Sequence, residues 1–195
     1  MVAASLSQVS LPAPRPARLQ SAVSLRPLRI SDALRIRRWM ADPDLIRFTV
    51  LVPGPDYTPA RPFTRQEADR YLERMLEAPD GRAYAIMCDG VHVGNVGLKA
   101  IDLRSRSAEC FIEIGESSAR GHGVGTQAMR LLIEYAFRNL HLAEVRLGVF
   151  EFNTRAIQMY RQLGFRLGPQ YGWHFAGGLY YEVLGMILER EAYKS

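Results

Sequence analysis

The residues best placed to do chemistry begin with Arg120-Gly-His-Gly-Val-Gly-Thr126, in which Gly121, Gly123 and Gly125 alternate with Arg120, His122, Val124 and Thr126. An apolar strand pattern from Ala108 to Gly115 leads into this run. From Thr126 onward, Met129, Leu132, Ile133, Ala136, Phe137 and Leu140 recur at helical spacing. A strand, a glycine-rich turn and a helix in that order aim free backbone amides and the positive end of a helix dipole at one point. Glycine supplies positive φ there and puts no Cβ in the way of a bulky ligand. The pattern predicts a site for a phosphate-bearing molecule.

Two common nucleotide-binding readings fail on spacing. A P-loop places lysine before its Ser/Thr, whereas Gly125 is followed directly by Thr126. A dinucleotide fingerprint requires G-x-G-x-x-G, and Gly121, Gly123 and Gly125 are evenly spaced. What remains, Arg120-x-x-Gly123-x-Gly125, resembles the acyl-CoA signature of the GCN5-related N-acetyltransferases (GNAT). After the next strand, Asn153-Thr-Arg-Ala156, with Tyr160 and Gly164-Phe165 following, resembles that family's second signature. The opening Leu25-Arg-Pro-Leu-Arg29, with Trp39 and Asp42-Pro43, resembles the ribosomal-protein-alanine N-acetyltransferase branch.

The resemblance implies an α/β (α+β) GNAT fold, a mixed and mostly antiparallel sheet of about seven strands flanked by about four helices. It implies acetyl-CoA as cosubstrate, direct transfer to a primary amine in a ternary complex, and no metal. Ile114, Gly115, Glu116, Arg120, Gly121, His122, Gly123, Val124, Gly125, Thr126 and Asn153 are the residues it assigns to cofactor binding.

Moving an acyl group from a thioester to an amine sets three demands. The amine must be neutral, the carbonyl oxygen must be stabilised as it gains charge, and the departing thiolate gains from a proton. Tyr160 is the candidate acid by family position; it also shares a helix face with Ala156, Ile157 and Leu163, where a core aromatic would stand. Glu113 is the candidate base. In Cys-Phe-Ile-Glu-Ile it shares a face with Phe111 while Cys110, Ile112 and Ile114 share the other, so a carboxylate sits where apolar residues are normal. Burial would raise its pKa toward a useful range. Glu116 is its substitute and Glu109 a third choice. Asn153 caps a helix and is free at the same time to bond the pantetheine arm. Arg120 adds charge complementarity to the pyrophosphate; His122, projecting outward, has no catalytic role.

The acceptor is read from charge. Between Phe48 and Phe63 the only acid is Asp56, against Arg61, and Leu167 to Leu179 has none. A polycation needs clustered carboxylates, so the expected acceptor is a singly charged amine on a larger scaffold, a protein or peptide N-terminus first. A small amine such as an amino acid, polyamine or antibiotic is the alternative, and a non-catalytic CoA-binding module a further one. Phe48, Tyr57, Tyr171, Trp173 and His174 would line that end.

The elements behind these residues fit one unit. A length of 195 residues suits one domain at 21–195 behind a flexible arm at 1–20, and a 48% hydrophobic content is ordinary for a globular chain. The net charge of +5 lies in the first 38 residues, where seven arginines face Asp32, and the remainder is near −1. A nucleic-acid groove across the body is therefore not expected. No run is apolar for the length a membrane span needs. Cys88 and Cys110 have neither CxxC nor ligand spacing and read as free thiols in a cytoplasmic protein, a monomer or homodimer.

Along the chain, Val23 to Arg29 reads as a strand, and Ser31 as the cap of a helix through Ala41. Thr64 with Glu67 reads as a capping box opening a helix to Ala78, with Ala68, Tyr71, Leu72, Met75 and Leu76 as its apolar stripe. Asp89-Gly90 reads as a hairpin turn. Strands are expected at Glu144 to Phe150, Phe165 to Phe175 and Leu179 to Glu189.

Overall fold

The computed structural model describes residues 22–48, 64–169, 172–176 and 179–193, with 173–176 and 179 described by backbone alone. The expected arm, the loop containing Tyr57, the Gly177-Gly178 turn, and the side chains of Tyr171, Trp173 and His174 lie outside the described residues.

Eight strands form one sheet: β1 (Val23–Pro27), β2 (Arg82–Cys88), β3 (Val91–Asp102), β4 (Ser107–Ile114), β5 (Glu144–Phe150), β6 (Arg166–Leu167), β7 (Gly172–Ala176) and β8 (Leu179–Glu189). Their order is β1-β2-β3-β4-β5-β8-β6, with β7 also on β8, and every pairing except β4 with β5 is antiparallel. The count exceeds the expected seven because the run from Phe165 to Phe175 divides into β6 and β7. Five α-helices are described: α1 (Ala33–Trp39), α2 (Pro43–Ile46), α3 (Arg65–Glu77), α4 (Val124–Arg138) and α5 (Thr154–Gln162). The fifth is the one-turn α2. Asp42 caps it by accepting from the Asp44 amide at 2.9 Å, and Pro43 enters its first turn where the missing N–H costs nothing.

The helices pack on opposite faces. α4 buries Met129, Leu132, Ile133, Ala136 and Phe137 against Val96, Leu98 and Cys110 of the sheet. Each large side chain buried on this face contributes about 1.5–3 kcal/mol. On the other face, α1 and α3 bury Ile36, Trp39, Ala68 and Leu72 over Ala85. The Thr64/Glu67 capping box forms as expected, but Leu76 stands exposed, so the stripe of α3 is narrower than its sequence suggests.

The start of α1 departs from expectation. Ser31 lies inside a 3-10 turn, Ile30–Asp32, rather than capping a helix. Asp32 precedes α1 without capping it, because its carboxylate is taken by Arg26 (2.6 and 2.8 Å) and by the Arg29 amide (2.9 Å). The Asp89-Gly90 turn has positive φ at both residues, as a two-residue hairpin loop requires.

Candidate active site

β4 and β5 pair only from Ser107 to Glu109 on β4; beyond that, Cys110–Ile114 has no partner on β5. A cavity of about 920 Å³ opens where the strands part. Its wall reaches from Gly121, Gly123, Asn153 and Tyr160 on one side to Tyr71 and Glu113 on the other.

The first side is backbone. Gly123 precedes α4 at φ 81° and ψ −1°, a left-handed conformation, and no side chain caps the helix. The helix therefore starts at Val124, two residues earlier than the periodicity indicated. Gln127 N donates to Gly123 O at 3.0 Å, which leaves the amides of Val124, Gly125 and Thr126 without intrahelical partners. A Cβ on Gly123 would meet nothing within 4 Å, so the turn opens outward, whereas Gly125 packs near Met159 of α5. His122 is exposed. Arg155, which sequence reasoning passed over although it lies inside the second signature, brings Nη2 to 3.1 Å from where a Gly121 Cβ would sit. Free amides at a helix N-terminus are an arrangement that suits an anion.

Arg120 is differently engaged from expectation. Its Nε donates to Ile114 O (2.8 Å) and its Nη2 to Gly115 O (2.9 Å) and to the Asp42 carboxylate (2.7 Å). The guanidinium closes the end of β4 and ties it to the cap of α2, rather than offering free charge to a pyrophosphate.

Asn153 caps α5, its Oδ1 accepting from the Ala156 amide at 3.2 Å, and it also lines the cavity. Tyr160, one helical stretch on, is 7% exposed, packs on Phe165 and reaches the cavity. Burial, with Cys110 beside it, holds its hydroxyl well above the usual tyrosine range, and burial pushes the Cys110 thiol up to about 12.

Glu113 lies across the sheet and both its oxygens are occupied. Tyr71 donates to Oε2 at 2.8 Å and Asn95 Nδ2 to Oε1 at 2.6 Å. Burial raises its pKa, and the bonds from Asn95 and Tyr71 partly oppose that rise. Asn95 faces Glu113 directly across the β3–β4 ladder and is fully buried. Its Oδ1 lies 2.9 Å from His92 Nε2. His92 and Asn95 should point to opposite faces at a spacing of three. The register shift between Ile86 and Met87 leaves Val93 unpaired on β3 and restores them to one face. Sequence reading missed both; an Asn inside the apolar run Val-Gly-Asn-Val-Gly was the available signal. Tyr71 was assigned to core packing, and its hydroxyl turns out to serve the carboxylate.

The other two carboxylates are committed elsewhere. Glu116 Oε1 accepts from Arg35 (3.3 Å), Trp39 Nε1 (3.2 Å) and Arg38. Glu109 pairs with Lys99 at 2.9 Å. Gly115 is buried so tightly that a Cβ would fall 1.9 Å from Trp39 Cδ2. Ile114, Gly115 and Glu116 thus hold α1 and Arg120 at the cavity mouth. Beyond Glu113, Phe48 stacks on Phe152 (5.9 Å) and Phe152 on Phe150 (5.2 Å), with Tyr181 edge-on, so that Phe48 and Phe150 present an aromatic wall to the cavity.

Comparison with known proteins agrees with this architecture. Residues 23–166 match the acetyltransferase (GNAT) domain family. The chain is 28% identical over 172 residues to a spermidine N(1)-acetyltransferase of Escherichia coli, covering 88% of each chain. It is 28% identical over 138 residues to human alpha/beta-tubulin-N-acetyltransferase 9, covering 67% of this chain and 65% of the relative. Among solved structures, spermidine N-acetyltransferase from Vibrio cholerae, in complex with CoA and spermine, superposes with a TM-score of 0.73 at 21% identity, covering 88% of this chain and 97% of that one. The chain belongs to the GNAT acetyltransferase family, and it is an N-acetyltransferase. These matches support the family and not specifically the expected ribosomal-protein-alanine branch, the fuller of the two relatives being a spermidine acetyltransferase. No helix among the described residues is long and apolar enough to cross a membrane.

Proposed function

We propose that the protein transfers an acetyl group from acetyl-CoA to the primary amine of a small molecule, by direct attack within a ternary complex. The observation that carries this is the single cavity joining the open turn before α4 and Tyr160 on one side to the doubly hydrogen-bonded Glu113 on the other. When bound, acetyl-CoA supplies the acetyl group as a thioester. The amides of Val124, Gly125 and Thr126 hold its pyrophosphate, with Arg155 beside them, and Asn153 bonds the pantetheine arm.

Glu113 takes the proton of the attacking amine as the N–C bond forms. Tyr160 gives its proton to the sulfur as the C–S bond breaks. A tyrosine with so raised a pKa would be a poor match for a thiol at the ordinary ~8.5. Loss of solvent acts on both partners in the same direction, since the apolar surroundings that raise the Tyr160 pKa also disfavour a free thiolate released beside it.

A small amine is preferred over a protein N-terminus because the fuller of the two relatives described above, matched over 88% of its length, acetylates spermidine. Polyamines are accordingly the first class to test, in a cytoplasmic setting suited to the free Cys88 and Cys110. Thiol release from acetyl-CoA, measured as kcat/KM for spermidine, single amino acids and short peptides with free N-termini, decides the acceptor. Spermidine or another small amine is expected to lead; a peptide preferred by tenfold or more would restore the protein N-terminus.

A further inference from the structure

Glu113 ends a buried polar chain that leads away from the cavity. Asn95 Nδ2 donates to Glu113 Oε1, Asn95 Oδ1 lies 2.9 Å from His92 Nε2, and His92 Nδ1 lies 3.4 Å from Asp32 Oδ1, which is itself held by Arg26. His92 is 4% exposed, and its Nδ1 has no hydrogen-bond partner among the described residues. The charged and titratable groups around Glu113 are Tyr71 and Arg74 from α3, His92 from β3, Asp32 with Arg26 behind it, and Tyr160 across the cavity.

An amide has a donor end and an acceptor end, so the orientation of Asn95 decides what Glu113 can be. With Nδ2 toward Glu113, Oε1 meets a group that can only donate, so Oε1 carries no proton and the ionised form is favoured. That orientation turns Oδ1 to His92 and requires a proton on Nε2. Turned over, Asn95 would offer Oδ1 to Glu113 and Nδ2 to His92. Glu113 would then keep a proton of its own on Oε1 and could accept none from an amine.

We propose that His92 and Asn95 are positioning residues for the acetyl transfer: a proton on His92 Nε2 locks the Asn95 amide with its donor toward Glu113, leaving Oε2, beside Tyr71, as the oxygen that receives the amine's proton. The inference rests on the reading of Glu113 as the base. It gives Trp39 a part as well, since its ring meets the His92 ring edge-on at 4.8 Å and fixes the imidazole plane.

The test is the pH profile of kcat/KM for the best acceptor, taken with the affinity for acetyl-CoA. Asn95→Leu removes the donor, and His92→Leu removes the lock; each is expected to move the base limb up by about one pH unit or more, with acetyl-CoA affinity unchanged. His92→Gln keeps an N–H donor and is expected to return the limb most of the way. If Glu113→Gln leaves the base limb in place, the base reading fails and this inference with it. If Glu113→Gln removes the limb while the two leucine variants leave it unmoved, or glutamine fails where it should rescue, only the positioning role is overturned. Should the leucine variants not fold, nitrogen-15 NMR of histidine-labelled wild type decides instead. His92 Nε2 must carry the proton at the pH where kcat/KM is maximal, and an unprotonated Nε2 there overturns the proposal.

Discussion

The turn on one side of the cavity is built from backbone, and the Glu113 network on the other from side chains of distant elements. The turn at 120–126 needs only glycines able to adopt positive φ at Gly121 and Gly123 and a 15-residue helix behind them. Glu113 needs Tyr71 and Asn95, which stand 42 and 18 positions away along the chain and meet it only because α3, β3 and β4 are packed as they are. A backbone site tolerates loss of side chains and fails when a wrong one is added. A side-chain site fails when one is removed, and here burial has raised the pKa of the carboxylate at its centre.

The sharpest way to break this contrast is to add a side chain at the turn. Gly123→Asp is expected to abolish acetyl-CoA binding in calorimetry while the protein still folds. Space for the Cβ is open, and aspartate tolerates the left-handed conformation better than most residues and caps helices well. The loss would come from a carboxylate placed among amides aimed at phosphate; unchanged affinity would show that the anion binds elsewhere.

Removal at the other end comes next. Glu113→Gln is expected to lower kcat by about 10²–10⁴-fold with little change in acetyl-CoA affinity. It should also flatten one part of the stability curve. Because burial raises the folded-state pKa above the unfolded value, the native state holds the proton more tightly, and wild-type stability falls as pH rises between the two values. Melting temperatures followed from acid to neutral pH should show that fall in wild type and lose it in the variant, which becomes relatively more stable at neutral pH.

Tyr160→Phe follows, with an expected loss of about 10²-fold in kcat and intact acetyl-CoA affinity, since the ring still packs on Phe165. A loss below about threefold would make Tyr160 a packing residue. The smallest effect is expected from Asn153→Ala. It removes the cap of α5 and should cost about 1 kcal/mol in denaturant unfolding, with a weaker hold on the donor. A change in stability alone would leave Asn153 as a cap only.

The same contrast explains what could be read from sequence. The turn, the Asn153 cap and the position of Tyr160 were legible because each depends on neighbours within a few residues, where glycine spacing and capping preferences act. Glu113 was legible only as an anomaly, a carboxylate in an apolar strand. What holds it was not, because the bulge that turns His92 and Asn95 to one face is set by pairing with β2. Arg120 was misjudged for a related reason. Its ion pair with Asp42 joins residues 78 positions apart, and no local pattern announces it. Ser31 fits a helix cap by residue type, yet it lies within a 3-10 turn, and Arg26 takes the carboxylate of the Asp32 that follows.

Gly115 meets Trp39 at a distance that admits no further atom, and Trp39 in turn carries the edge contact to His92. The two positions therefore behave as one shared volume. In a mutational screen, Gly115→Ala should be lost as a single change and recovered by second-site suppressors that shrink position 39. A recovered double variant would regain its fold while its imidazole, freed of the indole, samples more than one orientation, so that survival of the chain and fidelity of its chemistry would part company.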